Sequence, residues 1–416
     1  SVSEYKFLIE NQNQELADYA AGLADKVRRE IYGNEIYVRG LIEIGNYCTN
    51  DCYYCGIRKS NNNCDRYQLT KKQIMECCQE GYELGFRTFV LQGGEGIVKV
   101  DDVCQLVKEI KEKHSDVAVT LSLGECSKED YLKMYEAGVD RYLLRHETAN
   151  REHYEKLHPT GPKHDYAYHT EAMDRAMEGG IDDVGVGVLF GLNMYRYDFA
   201  GLLMHKEHLE AMFGVGPHTI SVPRIRPADD ISVQSFPNAI SDAMFKKIVA
   251  ILRITVPYTG IIISTRESAA TRKAVLEVGV SQISGASRTS VGGYAEEEEE
   301  DSAQFEVNDN RTLDQVINWL LTDGYIPSFC TACYRAGRTG DRFMSLAKTG
   351  EISNCCQPNA LLTLREYLDD YASPETRQKG MEAIRRELDN IPNPKVRTTC
   401  ETYLQKIDGG ERDFRF

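Results

Sequence analysis

The chain has 416 residues and a formal net charge of -15, with 42% hydrophobic and 27% charged residues. Its mean hydropathy is -0.44, and no run approaches the roughly 18 apolar residues that span a bilayer. The negative charge opposes binding to a phosphate backbone. The composition therefore excludes a small disulfide-stabilised peptide and favours a soluble, cytoplasmic protein that binds neither nucleic acid nor a membrane.

Strands and helices alternate along most of the chain. Short apolar runs predict eight strands, at residues 36–44, 88–92, 117–123, 141–145, 184–190, 219–223, 261–265 and 281–284. Amphipathic segments between them predict helices at 71–84, 103–113, 128–137, 166–179, 202–213, 241–252 and 269–278. This alternation predicts an α/β fold, a closed parallel (β/α)8 barrel of the TIM type, with an open doubly wound sheet as the alternative.

The sequence pattern changes after residue 293. A run of five glutamates at 296–300 is typical of a solvated loop. The residues beyond it predict helices at 313–321, 359–371 and 374–387. We therefore divide the chain into a helical N-terminal segment (1–35), the barrel (36–293) and a helical C-terminal appendage (294–416).

Two groups of closely spaced cysteines stand out among the 13 in the chain. In a reducing compartment such groups are more often metal ligands than disulfides. Cys48, Cys52 and Cys55 form a C-x3-C-x2-C pattern directly after the first predicted strand. Structural zinc normally takes four protein ligands, whereas three thiolates leave one iron of a 4Fe-4S cluster open. S-adenosylmethionine can bind that iron, and its reductive cleavage releases a 5'-deoxyadenosyl radical.

This cysteine spacing, with the aromatic Tyr54 before the last cysteine, resembles the radical SAM superfamily. Gly93, Gly94 and Glu95 follow the second predicted strand and are similar to the superfamily's GGE motif. The resemblance implies that this motif contacts the amino group of S-adenosylmethionine. It implies further cofactor contacts at Glu125, Arg145 and Val186.

The second group, Cys330, Cys333 and Cys356, has the spacing C-x2-C-x22-C. Three thiolates again indicate a cluster with an open iron. A structural zinc site completed by Cys355 or a histidine is the alternative. The spacing alone leaves the choice between Cys355 and Cys356 open.

Residues 330–344 (CTACYRAGRTGDRFM) and 356–363 (CQPNALLT) are similar to the HydG family of FeFe-hydrogenase maturases. The resemblance extends over most of residues 154–416 and favours Cys356 as the third ligand. It implies a lyase of the 2-iminoacetate synthase type that cleaves the Cα–Cβ bond of L-tyrosine. The products are p-cresol and dehydroglycine, and the latter becomes carbon monoxide and cyanide on iron at a second 4Fe-4S cluster.

The same resemblance implies partners and a further metal ligand. An electron donor and other hydrogenase maturases are the implied partners, with L-tyrosine or another small amino acid as substrate. An additional iron at the second cluster is held partly by a histidine. We assign that role to His205, with His208 and His218 as alternatives.

Polar residues close the last two predicted strands and are candidates for catalysis. Ser264 and Arg266 follow the seventh strand, and Arg288 follows the eighth. Because the carboxyl ends of barrel strands meet at one mouth, we expect these three side chains there. A guanidinium such as that of Arg266 can bind a substrate carboxylate through two parallel hydrogen bonds.

Residues 32–155 resemble the companion maturase family HydE more than HydG. The segments that carry this likeness are 37–43, 80–88, 121–125 and 145–148. One alternative is therefore a HydE-like maturase or another amino-acid-modifying radical enzyme with a different substrate. A second alternative, a non-enzymatic iron-sulfur carrier, predicts no cleavage of S-adenosylmethionine.

Overall fold

The computed structural model describes residues 2–11, 13–227, 231, 235–285 and 309–416. Within them, eight parallel strands close into a barrel, because β1 pairs with both β2 and β8. The strands are β1 (Glu35–Glu43), β2 (Thr88–Gln92), β3 (Ala118–Ser122), β4 (Arg141–Leu143), β5 (Val184–Gly187), β6 (Thr219–Ser221), β7 (Gly260–Ile263) and β8 (Gln282–Ser284). The predicted barrel is confirmed, and the open sheet is excluded.

A ninth strand, β9 (Ile326–Ser328), joins the sheet from the C-terminal region. It pairs in parallel with the first residues of β1, where Tyr37 lies opposite Ser328, while β2 pairs with β1 only from Gly40 onward. The sequence did not predict this strand, because three residues including Pro327 carry no alternating pattern. The C-terminal region is thereby attached to the sheet through backbone hydrogen bonds.

Helices follow most strands and cover the barrel. They are α3 (Lys71–Glu83), α4 (Val100–Lys113), α5 (Lys128–Glu136), α6 (Arg151–Leu157), α7 (Tyr166–Thr170), α8 (Ala172–Glu178), α9 (Tyr195–Phe213), α10 (Asp242–Thr255) and α11 (Ala269–Leu276). A capping box begins α3, since Thr70 and Gln73 each bond the other's backbone N–H. The single helix predicted at 166–179 is two helices, because Glu171 leaves the helical conformation.

Further helices lie at both ends of the chain. Two precede the barrel, α1 (Val2–Glu10) and α2 (Gln14–Tyr32). Six follow it, α12 (Leu313–Thr322), α13 (Ala332–Arg335), α14 (Gly340–Thr349), α15 (Ser353–Asp370), α16 (Pro374–Asp389) and α17 (Pro394–Asp408). The sequence patterns did not predict α13, α14 and α17. Among the described helices, none is both long and apolar enough to cross a bilayer.

Side chains alternate between the two faces of β1. Ile36, Val38 and Ile42 belong to the main hydrophobic core. The alternate positions, which include Tyr37 and Arg39, face the barrel interior, since successive strand residues point to opposite faces. Tyr37 and Arg39 thus bring polar groups into the barrel interior.

Candidate functional site

One candidate site, the upper chamber, lies at the carboxyl ends of the strands. It has a volume of about 830 Å³. The lining residues come from the loop after β1, from the ends of β2 to β4 and from later loops. They are Cys48, Cys52, Tyr54, Cys55, Ile57, Gln92, Gly93, Gly94, Glu95, Ser122, Leu144, Arg145, Glu147, Lys163, Leu189, Ile225, Arg226 and Arg266.

The cysteines of the first group all line this chamber. The backbone N–H groups of Asn50 and Glu95 lie 3.4 Å from the Cys48 Sγ atom. Burial raises the pKa of Cys48 and raises that of Cys55 to about 12, so a bound cation is needed to hold the thiolates. Within the described ranges no three ligand-type side chains converge on one ion. A 4Fe-4S cluster does not require such convergence, because each cysteine binds a different iron atom.

Gly93 and Gly94 fit this site because the backbone passes directly against the cysteine loop. A Cβ atom on Gly94 would lie 1.7 Å from the carbonyl oxygen of Tyr47, and one on Gly93 would lie 2.5 Å from that of Gly45. Gly94 also donates its N–H to the Gly45 carbonyl. Only glycine permits this approach, which fixes the motif against the cysteine loop.

Buried charges in the upper chamber are paired in a network centred on Lys163. Its Nζ atom lies 2.9 Å from Glu95 Oε1 and 3.7 Å from Glu147 Oε1. Glu147 also pairs with Arg145 at 3.3 Å. Burial alone would raise the pKa of Glu147, but Arg145 and Lys163 lower it to about 2. Asn50 donates to the other Glu95 oxygen at 2.8 Å, so the GGE carboxylate is held from both sides.

Two further predicted residues line the chamber, Tyr54 and Arg266. The Tyr54 hydroxyl lies 2.8 Å from His158 Nε2. Because His158 Nδ1 must donate to the Tyr154 carbonyl, Nε2 accepts a hydrogen bond from the Tyr54 hydroxyl. Burial and the nearby Arg145 together lower the pKa of Arg266 to about 9, while Glu147 opposes the change.

Other predicted residues lie elsewhere. Glu125 is buried against His169, with Oε2 3.0 Å from Nδ1, and does not line the chamber. Val186 lies on β5 within the hydrophobic core. Ser264 follows β7 and accepts the Arg266 N–H at 3.4 Å without lining the chamber. Arg288 and the acidic run lie outside the described residues.

A second site, the lower chamber, lies at the opposite end of the barrel and has a volume of about 900 Å³. Strand starts and the C-terminal region form its walls. The lining residues are Ile31, Tyr32, Tyr37, Val38, Arg39, Thr88, Arg141, Asp183, His218, Gln282, Cys330, Thr331, Cys333, Tyr334, Arg338, Thr339, Phe343, Ala347, Ile352 and Cys356. The two cysteine groups therefore occupy opposite mouths of one barrel.

The second cysteine group has its thiols in the lower chamber. Burial raises the pKa of Cys330 to about 12 and raises that of Cys356 well above its usual value. The neighbouring Cys355 does not line the chamber; its sulfur accepts from Arg338 at 3.2 Å. The geometry agrees with Cys356 as the third thiol.

The structure places His205 and His218 in different surroundings. His205 lies on α9 with Nδ1 3.1 Å from His146 Nδ1, and it does not line the lower chamber. His218, which precedes β6, does line it and lies 3.6 Å from Asp183. Burial lowers the pKa of His218 to about 4, so its ring is neutral, the form that binds metal.

Sequence reasoning missed several charged residues of the two chambers. Arg141 pairs with the buried Asp183 at 2.8 Å, and Tyr334 donates to the same carboxylate at 2.8 Å. Arg141 begins a predicted strand and Asp183 immediately precedes one, which places both at the lower mouth. Lys163 lies in a short 3-10 helix (Pro162–His164), far along the chain from the cysteines it faces, so no spacing pattern linked it to them.

Comparisons with known proteins agree with this geometry. Residues 42–223 match the radical SAM superfamily, and residues 221–326 match the Biotin and Thiamin Synthesis associated domain. The fold is similar to the crystal structure of HydG, a maturase of the FeFe-hydrogenase. The TM-score is 0.96 and the sequence identity 44%, with 100% of this chain and 92% of that chain covered.

Two curated proteins are also similar. The FeFe-hydrogenase maturase subunit HydE of Thermotoga maritima is 42% identical over 198 residues, which cover 47% of this chain and 55% of HydE. The 2-iminoacetate synthase of Salmonella typhimurium is 28% identical over 317 residues, covering 75% of this chain and 82% of that protein. The chain thus spans about half of HydE and most of the synthase.

Proposed function

The chain belongs to the HydG family within the radical SAM superfamily, and from this premise we propose that it cleaves the Cα–Cβ bond of L-tyrosine. The products are p-cresol and dehydroglycine. Dehydroglycine is 2-iminoacetate, so the similarity to 2-iminoacetate synthase supports the same cleavage. The observation that carries the proposal is the pair of three-cysteine chambers at opposite mouths of one barrel.

The upper chamber holds the residues for radical formation. A 4Fe-4S cluster on Cys48, Cys52 and Cys55, with S-adenosylmethionine, supplies a 5'-deoxyadenosyl radical when both are bound. Glu95, fixed by Lys163 and Asn50, presents its carboxylate to the amino group of the cofactor. The walls of the barrel keep water away from the reacting groups.

The amino-acid substrate binds beside this cofactor site. Arg266 lines the chamber in a desolvated position, where its guanidinium forms two parallel hydrogen bonds with the substrate carboxylate. Ser264 and Arg288 are assigned to substrate contact by their position after the seventh and eighth strands. An external one-electron donor completes the reaction.

The lower chamber processes the product. Cys330, Cys333 and Cys356 hold a second 4Fe-4S cluster, and His218 replaces His205 as the ligand of an additional iron. Dehydroglycine is converted there to carbon monoxide and cyanide for hydrogenase maturation. Because the chambers open at opposite ends of one barrel, the shortest path between them is the barrel interior.

A second candidate keeps the radical chemistry and changes the substrate. The 42% identity to HydE over 198 residues favours it, since close to half of this chain is similar to a maturase of different name. This candidate predicts 5'-deoxyadenosine without p-cresol. An iron-sulfur carrier predicts neither product.

The test is anaerobic reconstitution with iron and sulfide, followed by S-adenosylmethionine, dithionite and L-tyrosine. We expect p-cresol and 5'-deoxyadenosine in equal amounts, both measured by liquid chromatography. Formation of 5'-deoxyadenosine without p-cresol contradicts tyrosine as substrate. If protein with intact clusters forms neither, the enzyme proposal is wrong and the carrier is favoured.

A further inference from the structure

Arg39 is a buried cation in the barrel interior for which the described residues supply no counter-ion. It lies in the middle of β1, lines the lower chamber and is only 8% exposed. Its Nε and Nη1 atoms are shielded from solvent and meet no hydrogen-bond acceptor in the described part of the chain. It forms no ion pair with any carboxylate there either.

Two neighbouring interior arginines are paired. Arg141 bonds both oxygens of Asp183, and Arg145 pairs with Glu147. These two cations are also the neighbouring charges that act against the charged form of Arg39, whose pKa burial lowers to about 9. The carboxylates of Asp183 and Glu147 therefore already have cations of their own.

A purely structural role does not account for this arrangement. Arg253, fully buried on α10, shows what such a role looks like: its guanidinium donates to the backbone carbonyls of Gly279, Pro257 and Thr259. Within the described ranges, no comparable set of carbonyl acceptors meets the Nε and Nη1 atoms of Arg39. Because burial of an unpaired charge is unfavourable, its retention points to an anion that is bound only during function.

We propose that Arg39 is the binding residue for a small carboxylate inside the barrel, and that its ligand is the two-carbon product of tyrosine cleavage. The inference rests on the proposed function. A guanidinium fork matches a carboxylate, and the same chamber contains the Tyr37, Gln282 and Tyr334 side chains as hydrogen-bonding neighbours. Arg39 holds the fragment by its carboxylate so that it faces Cys330, Cys333 and Cys356.

Holding the fragment matters because its imine reacts with water. Water adds to the C=N bond of HN=CH–COO⁻, the nitrogen leaves as ammonia, and glyoxylate remains, with no change of oxidation state. Without Arg39 the fragment escapes from the barrel and follows this route. Loss of Arg39 therefore replaces carbon monoxide and cyanide with glyoxylate and ammonia as the products. The amount of p-cresol is unaffected, because p-cresol forms earlier, in the other chamber.

The first experiment compares Arg39→Met, Arg39→Lys and the wild type under turnover, with Arg385→Met on the exposed face of α16 as control. We expect Arg39→Met to lower the ratio of carbon monoxide to p-cresol at least tenfold and to raise glyoxylate correspondingly. Arg39→Lys, a point charge without the fork, gives an intermediate ratio. An unchanged ratio in Arg39→Met, or an equal loss of p-cresol, overturns the proposal.

The second experiment needs no turnover. The probe is glyoxylate, added to reconstituted protein whose upper chamber is filled with S-adenosylmethionine and L-tyrosine, without reductant. Glyoxylate raises the Tm of the wild type and of Arg385→Met but not of Arg39→Met. An equal shift in Arg39→Met excludes Arg39 as the anion site.

Two further measurements distinguish failure of the Arg39 proposal from failure of the proposed function. Without ligand, Arg39→Met has a Tm at least equal to the wild type, because an unpaired charge is replaced by an apolar chain of similar length. A lower Tm indicates a structural role and contradicts the proposal. If the wild type forms no p-cresol, the tyrosine lyase function fails, while the glyoxylate shift still tests the anion site.

Discussion

The upper chamber takes its cysteines from one loop directly after β1, whereas the lower chamber takes them from the C-terminal region, beyond β9. Their charges differ as well. In the upper chamber Lys163 lies between two carboxylates, while in the lower chamber Arg39 has no described counter-ion. The comparison fits the proposal that the upper chamber is preorganised for S-adenosylmethionine, whereas the lower chamber is completed by a transient anion.

The position of the lower chamber departs from the usual use of this fold. In α/β barrels the carboxyl ends of the strands carry the chemistry, and the opposite face mainly stabilises the fold. Here β9 extends the sheet beside the start of β1 and places Cys330 two residues beyond its own end. One short strand thus allows a second site at the normally structural mouth.

The largest effect that tests this comparison is loss of the upper cysteines. We expect Cys52→Ala to abolish both 5'-deoxyadenosine and p-cresol, because one iron loses its ligand, while the iron of the lower site is retained. Chromatography and iron analysis measure these effects. Cys400→Ala, which alters a buried cysteine on α17 outside both chambers, retains activity. Activity in Cys52→Ala would remove the basis for a radical site there.

The matched test at the lower mouth uses two adjacent cysteines. Cys356→Ala retains p-cresol formation and loses carbon monoxide and cyanide, since its thiol faces the lower chamber. Cys355→Ala, whose sulfur contacts only Arg338 among the hydrogen bonds of the described residues, retains all products. The reverse result would assign the third ligand to Cys355.

The charge network of the upper chamber predicts a large loss of stability. Lys163→Met leaves Glu95 and Glu147 without their shared cation, so we expect a loss of about 3–5 kcal/mol of unfolding free energy. Chemical denaturation measures it. Lys128→Met is the control, because its partner Glu178 is exposed and such a pair contributes about 0–1 kcal/mol. Equal losses in the two variants would show that the network is not a stabilising one.

A buried carboxyl group at the lower end of β1 predicts that stability depends on pH. Burial raises the pKa of Glu35, at the lower end, to about 8. The folded protein therefore keeps a proton that the unfolded chain releases above its ordinary pKa of 4.5, and stability falls as the pH rises towards 8. Glu35→Gln removes this term, at most about 1.4 kcal/mol per pH unit. Denaturation of both proteins at pH 5 and pH 8 measures the difference, which vanishes if Glu35 is ionised in the fold.

Sequence patterns predicted the barrel and half of the residues that line the upper chamber, for physical reasons. Strand periodicity is local, and Cys48, Cys52 and Cys55 share one short loop with a spacing that has few uses. By contrast β9 is a strand only because β1 pairs with it. Lys163 and Glu95 are far apart in sequence and come together only when the chain has folded.

The choice between the histidines has a similar origin. His205 and His218 both precede the sixth strand, and composition does not distinguish them. A usable signal was present, since His218 directly precedes the predicted strand at 219–223 and so lies at the mouth opposite the first cysteine group. Arg39 gave a comparable signal, because it alternates with the apolar Val38 on a strand whose other face is buried in the core.

The smallest predicted effect tests whether the barrel and the C-terminal region unfold as one unit. Ser373 begins α16 in the C-terminal region by accepting the Thr376 N–H, and Ser241 begins α10 on the barrel by accepting the Met244 N–H. Replacing either serine by alanine costs about 1 kcal/mol. Because β9 ties the C-terminal region into the barrel sheet, both variants shift a single unfolding transition, followed by calorimetry, to a similar extent. A separate transition that moves only in Ser373→Ala would mean that the lower chamber opens independently of the barrel, and the carboxylate held by Arg39 would then be exposed to water before the barrel unfolds.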